Sequence, residues 1–422
     1  MRFGRFRRGI GQFGKQGEFS DRGERSMAAA RKNRPAEREV RNAASRLLDA
    51  LRERDFKSLG EARTSCGLRK WDFDAALRLM QKKGLVEKGP MKAKGPLQPC
   101  LRIRGERGHV AAVDIGGTNL RVIVADLAGT ILGKWSGSTV GVADPAKIVQ
   151  LIEEGLRKIS RQAGVPANSL QAVAAGAPGV TDSRNGVVLL TSYLGGWRDV
   201  PLGRMLEDRF AAPAVIENDV RLGAVGERWK GSARKMNDFA FLAIGTGIAA
   251  GIYANGELLR GPECAAGEVG YLVVPGTPEE GVREGMPGPL ESVIGGEGIK
   301  SQWQKETQRL SGEALHDLSA TEIFERATGG DERARGVLER SARILAHAIY
   351  NISVVLNCPL FILGGGVGMS AILKDATESV LADYSQPVRP QLRLSSLGPD
   401  AQLFGALRLA LDEAEKRIGL RL

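Results

Sequence analysis

The chain has 422 residues, 42% of them apolar, which is long for one core and gives ample surface to bury in two or three domains. Its net charge of +11 is unevenly held: residues 1–108 carry 28 Lys/Arg against 13 Asp/Glu, a net of +15, and the remainder is −4. That asymmetry suits a polyanion partner for the N-terminal part and small-molecule chemistry for the body. Four scattered cysteines (Cys66, Cys100, Cys264, Cys358), with no CxxC pair and no cluster with the three histidines, argue against a disulfide framework or a Cys-rich metal site and fit a reducing cytosol.

Residues 1–36 are rich in Gly, Arg and Ser without periodicity, and a disordered basic arm is expected there. The segment lacks the apolar stretch of a secretory signal, and Met27 is an alternative start. Its "GIGQFG" follows no strand and opens no helix, so it is not read as a dinucleotide site.

From residue 37 an apolar face (Val40, Ala44, Leu47, Leu48, Leu51) predicts a helix. Ser58 with Glu61 reads as a capping box opening a second helix. A third carries Phe73, Ala76, Leu77 and Met80 on one face and ends near Gly84. "GLVEKGPMKAKGPLQPCLRI" then reads as strand, basic loop, strand. Three helices and a basic wing over 37–107 predict a winged helix-turn-helix reading double-stranded operator DNA, with Arg69, Lys70, Arg78, Lys88, Lys92 and Lys94 as contacts. A small dimerisation bundle is the alternative.

From His109 strands alternate with helices in two similar sets, each opening with a β-hairpin, which predicts a two-lobed α/β body over 108–422 with a cleft between lobes. Lobe one is expected over about 109–220 plus the C-terminal helix, and lobe two over about 221–400. The long uncharged run Phe239–Gly256 reads as a buried hairpin rather than a membrane span, since it holds four Gly, a Thr and an Asn. The protein is expected to be soluble and cytoplasmic, with no membrane partner.

In "DIGGTNLR" (Asp114–Arg121), Gly116 and Gly117 would let backbone N–H groups approach phosphate oxygens, Thr118 would add a donor, and Asp114 would hold magnesium or its water. A plain turn is the competing reading. No GxxxxGK[ST] occurs, so any nucleotide must be held by Gly-rich hairpins. Two more such sites follow: Gly245, Thr246 and Gly247 in "AIGTGIAAG", and Gly364, Gly365 and Gly366 in "ILGGGVG". Asp219, at the end of "VIENDV", is the candidate base for a substrate hydroxyl attacking a γ-phosphoryl group, or else a helix N-cap.

Together these motifs resemble the ROK family, sugar kinases and sugar-responsive repressors of the actin/hexokinase-like (RNase H-like) ATPase fold, many with a winged helix in front. "DIGGTNLR" is similar to the family's first phosphate motif, in which Arg121 falls, "END" to its catalytic strand end, "GTG" to its second phosphate motif and "GGG" to its adenosine loop. "AAGEVGY" and "GPLES" resemble its sugar loops. The resemblance implies a sugar or sugar-phosphate ligand touching Gly179, Asn218, Asp219, Glu268, Tyr271 and Glu291, ATP with magnesium as cofactors, and a homodimer or homotetramer. Tyr271 stands where the family usually has His. The family's zinc cysteines fall on Val282, Glu284 and Pro289, so no zinc is expected. Ala249 replaces a family glycine and is expected to crowd the phosphates. Asp72 and Asp74 occupy recognition-helix positions usually Thr and Ser, where acids are expected to face and repel DNA phosphates. The expected function is a sugar-responsive transcriptional regulator, with an ATP-dependent sugar kinase using Asp219 as base as the alternative.

Overall fold

The computed structural model describes residues 36–90, 99–166, 169–191, 193–279, 286–310 and 318–421. The expected disordered arm with Met27, wing residues Lys92 and Lys94, and the zinc-site positions Val282 and Glu284 lie outside them.

The first helix, α1 (Glu37–Glu53), buries Ala43, Ala44, Leu47 and Leu48. Ser58 caps α2 (Leu59–Ser65) by accepting the Glu61 N–H, 3.2 Å away. The reciprocal half of the expected capping box is absent, because the Glu61 carboxylate accepts from Lys57 N–H instead. α3 (Lys70–Lys82) buries Phe73, Ala76, Leu77 and Met80, and leads through left-handed Gly84 into the antiparallel wing of β1 (Val86–Pro90) and β2 (Pro99–Ile103).

The body holds two five-stranded sheets of one topology. In the first, β3 (His109–Ile115), β4 (Asn119–Asp126) and β5 (Ile131–Ser138) form an antiparallel meander. Helix α4 (Pro145–Ala163), capped by Asp144 with Pro145 in its first turn, leads to β6 (Leu170–Ala177), which lies parallel to β3. A small three-stranded sheet follows, β7 (Val180–Asp182), β8 (Val187–Leu190) and β9 (Arg198–Val200). Then come α5 (Leu202–Phe210), β10 (Ala214–Asn218), parallel to β6, and α6 (Asp219–Lys230).

The second sheet repeats the scheme. β11 (Phe239–Ile244), β12 (Ile248–Ala254) and β13 (Glu257–Leu258) form the meander, so the uncharged run is the expected buried hairpin. Helices α7 (Glu291–Ile294), α8 (Gly296–Leu310), α9 (Ala320–Thr328) and α10 (Glu332–Leu356) precede β14 (Leu360–Gly364). After β14, α11 (Gly365–Gly368), α12 (Ala371–Leu381), β15 (Gln391–Leu394) and α13 (Ala401–Ile418) close the chain, with β14 and β15 parallel to β11.

The two closing helices are exchanged between lobes: α6 packs on β11 and β12, whereas α13 packs on β3 and β6. They cross where Gly226 meets Ala401 and Gly405 meets Leu222. A Cβ on Gly405 would lie 1.9 Å from the Leu222 carbonyl oxygen, so only glycine lets the helices approach this closely.

The N-terminal module does not stand apart from the body. Leu47, Leu48, Phe73 and Met80 share one apolar cluster with Ala112 of β3 and Leu403, Leu407 and Leu411 of α13. Charged contacts ring this seam. Arg408 pairs with Asp49, and Glu415 accepts from Ser45 Oγ at 2.7 Å and pairs with Arg52. Arg52 also donates to the Leu127 carbonyl at 2.9 Å. Burial works to lower the Arg408 guanidinium, but Asp412 and Asp49 outweigh it and hold it firmly charged.

Candidate functional site

Asp114 lies near the end of β3, buried, opposite Arg121 of β4. Arg121 donates twice to its Oδ2, at 3.0 and 2.6 Å, and once to the Pro399 carbonyl at 2.6 Å. Arg121 is thus committed to Asp114 and to the segment leading into α13, where a free phosphate ligand was expected. Burial pushes the Asp114 carboxyl up, with Arg121 opposing.

The hairpin corrects a second expectation. Gly116 N–H closes the turn onto the Asn119 carbonyl at 2.8 Å and is not free for phosphate. Gly117 and the exposed Thr118 form its open edge. In lobe two, the glycine segments meet because β11 and β14 pair, with Ala243 opposite Gly364. Gly365 has φ +79°, and a Cβ there would lie 2.4 Å from the Ile244 carbonyl oxygen. Gly365→Ala is therefore expected to cost about 1–3 kcal/mol in chemical denaturation, for strain at a left-handed position against backbone. Ala249 packs against the cluster of Val220, Ala224 and Phe241, so its methyl is accommodated by α6 rather than crowding the phosphate loop.

Asp219 is the first residue of α6; the cap is its neighbour Asn218, whose Oδ1 accepts from Arg221 N–H at 2.9 Å. Asn218 Nδ2 donates to the Gly179 carbonyl at 3.0 Å, which leaves that amide one hydrogen for a sugar. Gly176, paired with Asp114, makes room for α6: a Cβ there would lie 2.7 Å from Leu222 Cδ1, with Asp219 Cα in ordinary contact at 3.5 Å. Burial, then the Asp114 charge, pushes the Asp219 carboxyl up to about 7.

Glu217 is fully buried between Arg221, 2.8 Å away, and Arg260, 2.7 Å away. Arg221 also donates to the carbonyls of Thr181 and Cys264, at 2.9 and 3.0 Å. This unforeseen ionic knot fixes the start of α6 to the loop that carries Glu268. Burial raises the carboxyls of Glu268 and Glu291, and Tyr271, half exposed on a 3-10 turn (Val269–Tyr271), feels both. Glu291 Oε2 accepts from Ile248 N–H at 3.2 Å, so this carboxylate abuts the second glycine hairpin.

Sequence reasoning missed Tyr193, between β8 and β9. A Cβ on Gly117 would lie 3.3 Å from Tyr193 Cβ, and one on Gly247 would lie 2.6 Å from Tyr193 Oη and 2.7 Å from Glu291 Oε2. Its hydroxyl is pushed up to about 12 by burial, then by Glu291, Asp219 and Glu268.

The ROK family model matches residues 110–413. The chain belongs to the ROK family. It is 32% identical to a glucokinase of Halalkalibacterium halodurans over 69% of this chain and 92% of that one. Among solved structures, a ROK family transcriptional regulator, a homologue of the E. coli MLC protein, superposes with TM-score 0.76 over 91% of this chain and 99% of its own, at 20% identity. A ROK glucokinase from Streptomyces griseus, in complex with glucose and AMPPNP, gives TM-score 0.61 and 27% identity over 72% and 99%. The body has the actin/hexokinase-like fold of the ROK kinases, and the body with the helix-turn-helix module in front has the fold of the ROK regulator.

The donor set suits magnesium only as a companion of bound phosphates. Among the described residues no group of three or more His, Cys, Asp or Glu could hold a metal ion. Asp114 and Asp219 are the hard oxygen donors at the hairpin, and magnesium characteristically takes one or two carboxylates plus phosphate oxygens. None of the described helices is long and apolar enough to cross a membrane.

Proposed function

We propose that this ROK protein is a sugar-responsive transcriptional regulator that binds operator DNA as a dimer. A sugar or sugar phosphate would be held by Asp219, Glu268, Glu291 and Tyr271, whose oxygens accept and donate directional hydrogen bonds. The observation that carries the reading is mechanical. The DNA-reading module shares a core and ion pairs with α13, of which Arg52–Glu415 is buried, and α13 crosses α6, whose first residue is Asp219. A ligand that shifts α6 against α13 therefore moves the module and resets the spacing of two half-site readers.

Recognition helix α3 presents Arg69, Lys70 and Arg78 at its surface, and Lys88 lies on β1 opposite Leu101. Asp72 does not face phosphate as expected: it is buried and bound to Arg69 at 2.7 Å. Fluorescence anisotropy with the DNA upstream of the protein's own gene should show binding whose affinity changes at least tenfold with one sugar of a hexose and amino-sugar panel. Absence of binding, or binding indifferent to every sugar, rejects the reading. Lys70→Ala and Arg78→Ala should each flatten the log-affinity against log-salt plot by about one ion.

One observation favours the kinase reading. A carboxyl titrating near 7 at a strand end is matched to general-base work near neutral pH. There Asp219 would take the proton of the attacking sugar hydroxyl, while Gly117, Thr118 and the Gly245–Gly247 hairpin orient the phosphates. Bound magnesium would neutralise phosphate charge. ADP release with Mg-ATP and the same sugar panel tests this reading.

A further inference from the structure

Tyr193 is anchored from lobe one and reaches into lobe two. Leu194 and Trp197 on its C-terminal side are buried in the lobe-one core, Trp197 Nε1 donates to the Ala143 carbonyl at 2.6 Å, and Tyr193 N–H donates to Thr191 Oγ1 at 3.2 Å. From that footing the side chain stands beside Gly117 of the first hairpin, and its hydroxyl lies at the corner of Gly247 and Glu291 beside the second. Those two hairpins are the glycine segments whose lack of side chains leaves room for a phosphate chain between the lobes. The ring lies across that room; of the groups suited to sugar hydroxyls, its tip adjoins Glu291 at the edge, whereas no hydrogen bond joins it to Asp219, Glu268 or Tyr271 among the bonds formed by the described residues.

We propose that Tyr193 is a specificity-determining gate: its ring fills the gap between the two glycine hairpins, so the cleft takes a sugar while holding off a nucleoside triphosphate. The proposal rests on reading those hairpins as a phosphate clasp. It also separates the regulator from the kinase, because a sugar sensor works without ATP and a kinase does not. The hydroxyl contributes little to exclusion, since it remains protonated, uncharged and able to donate near neutral pH. Steric bulk carries the effect.

The test measures the affinity of the full-length protein for magnesium-AMPPNP by calorimetry, in wild type, Tyr193→Ala and Tyr193→Phe. Because Tyr193 is 43% exposed, truncating it does not hollow a core, and Tyr193→Ser serves if the alanine variant fails to fold. Tyr193→Ala is expected to bind AMPPNP at least tenfold more tightly than wild type, with Tyr193→Phe unchanged. Equal affinity in all three, weaker binding in Tyr193→Ala, or a gain in Tyr193→Phe equal to that in Tyr193→Ala each overturns the gate. A parallel titration with the sugar panel keeps the two readings apart. Loss of all sugar binding in every form rejects the sugar site, and the gate is still decided by the AMPPNP series.

Discussion

Glu415→Ala should lower stability by about 3–5 kcal/mol and loosen the N-terminal helical module from the body. Glu415 is 2% exposed, accepts from Ser45 Oγ at 2.7 Å and pairs with Arg52, whose side chain is equally buried. Removing the carboxylate strands a guanidinium away from water with only the Leu127 carbonyl and the more distant, partly exposed Asp49 to answer it. Breaking a buried pair from one side is costly in this way, whereas exposed pairs contribute little. Asp208→Ala, which removes the solvent-facing partner of Arg204, is the internal control and should change stability by less than about 0.5 kcal/mol. Chemical denaturation reads the difference. Limited proteolysis should show cuts between residues 37 and 107 appearing earlier in Glu415→Ala. If the seam transmits the ligand signal, the same variant should also lose the sugar dependence of DNA binding. A stability unchanged to within 1 kcal/mol would mean that the cluster is solvated and that the module is held by its apolar contacts alone.

The long elements were legible because local chemistry and tertiary placement agree. α4 begins at Pro145 after an Asp cap and ends at left-handed Gly164, and α10 begins after Asp331, whose side chain accepts two backbone N–H groups. The three-stranded sheet β7–β9 and strand β15 escaped notice, because segments of three or four residues carry too few positions to establish alternation and are defined by their partners. The site was legible as residue types and blurred as roles. Spacing marked Asn218–Asp219 as a helix start without saying which residue caps it, and the fold gives the cap to Asn218, freeing Asp219. Asp72 read as an acid facing DNA until Arg69 closed over it. Tyr193 carried no signal at all: its importance comes from two hairpins, at Gly117 and Gly247, 76 and 54 residues away in the sequence, being folded against one loop.

Asp219→Asn should stabilise the protein at pH 8 while removing phosphoryl transfer, if the protein performs it. The native carboxyl titrates near 7 against about 3.9 for an unfolded aspartate. Between those values the native state binds the extra proton, so stability falls as pH rises through that window and is flat above it. A shift of about three units corresponds to at most about 4 kcal/mol, and on the order of 2–4 kcal/mol is expected after relaxation around the site. Asn keeps the shape and carries no charge beside Asp114. The variant should therefore match wild type near pH 4 and exceed it increasingly up to pH 8, a gain that melting curves across the range will show. Loss of the base should reduce any sugar-dependent ADP release by about 10²–10⁴-fold. A variant less stable than wild type at pH 8 would falsify the electrostatic account, because it would mean that the carboxylate's acceptance of the Val220 N–H, at 2.8 Å, outweighs the repulsion from Asp114. A gain in stability without loss of turnover would place the proton acceptor elsewhere. A gain with no turnover in either form leaves the strained acid as part of a ligand sensor, with its charge tuned to bind a sugar hydroxyl.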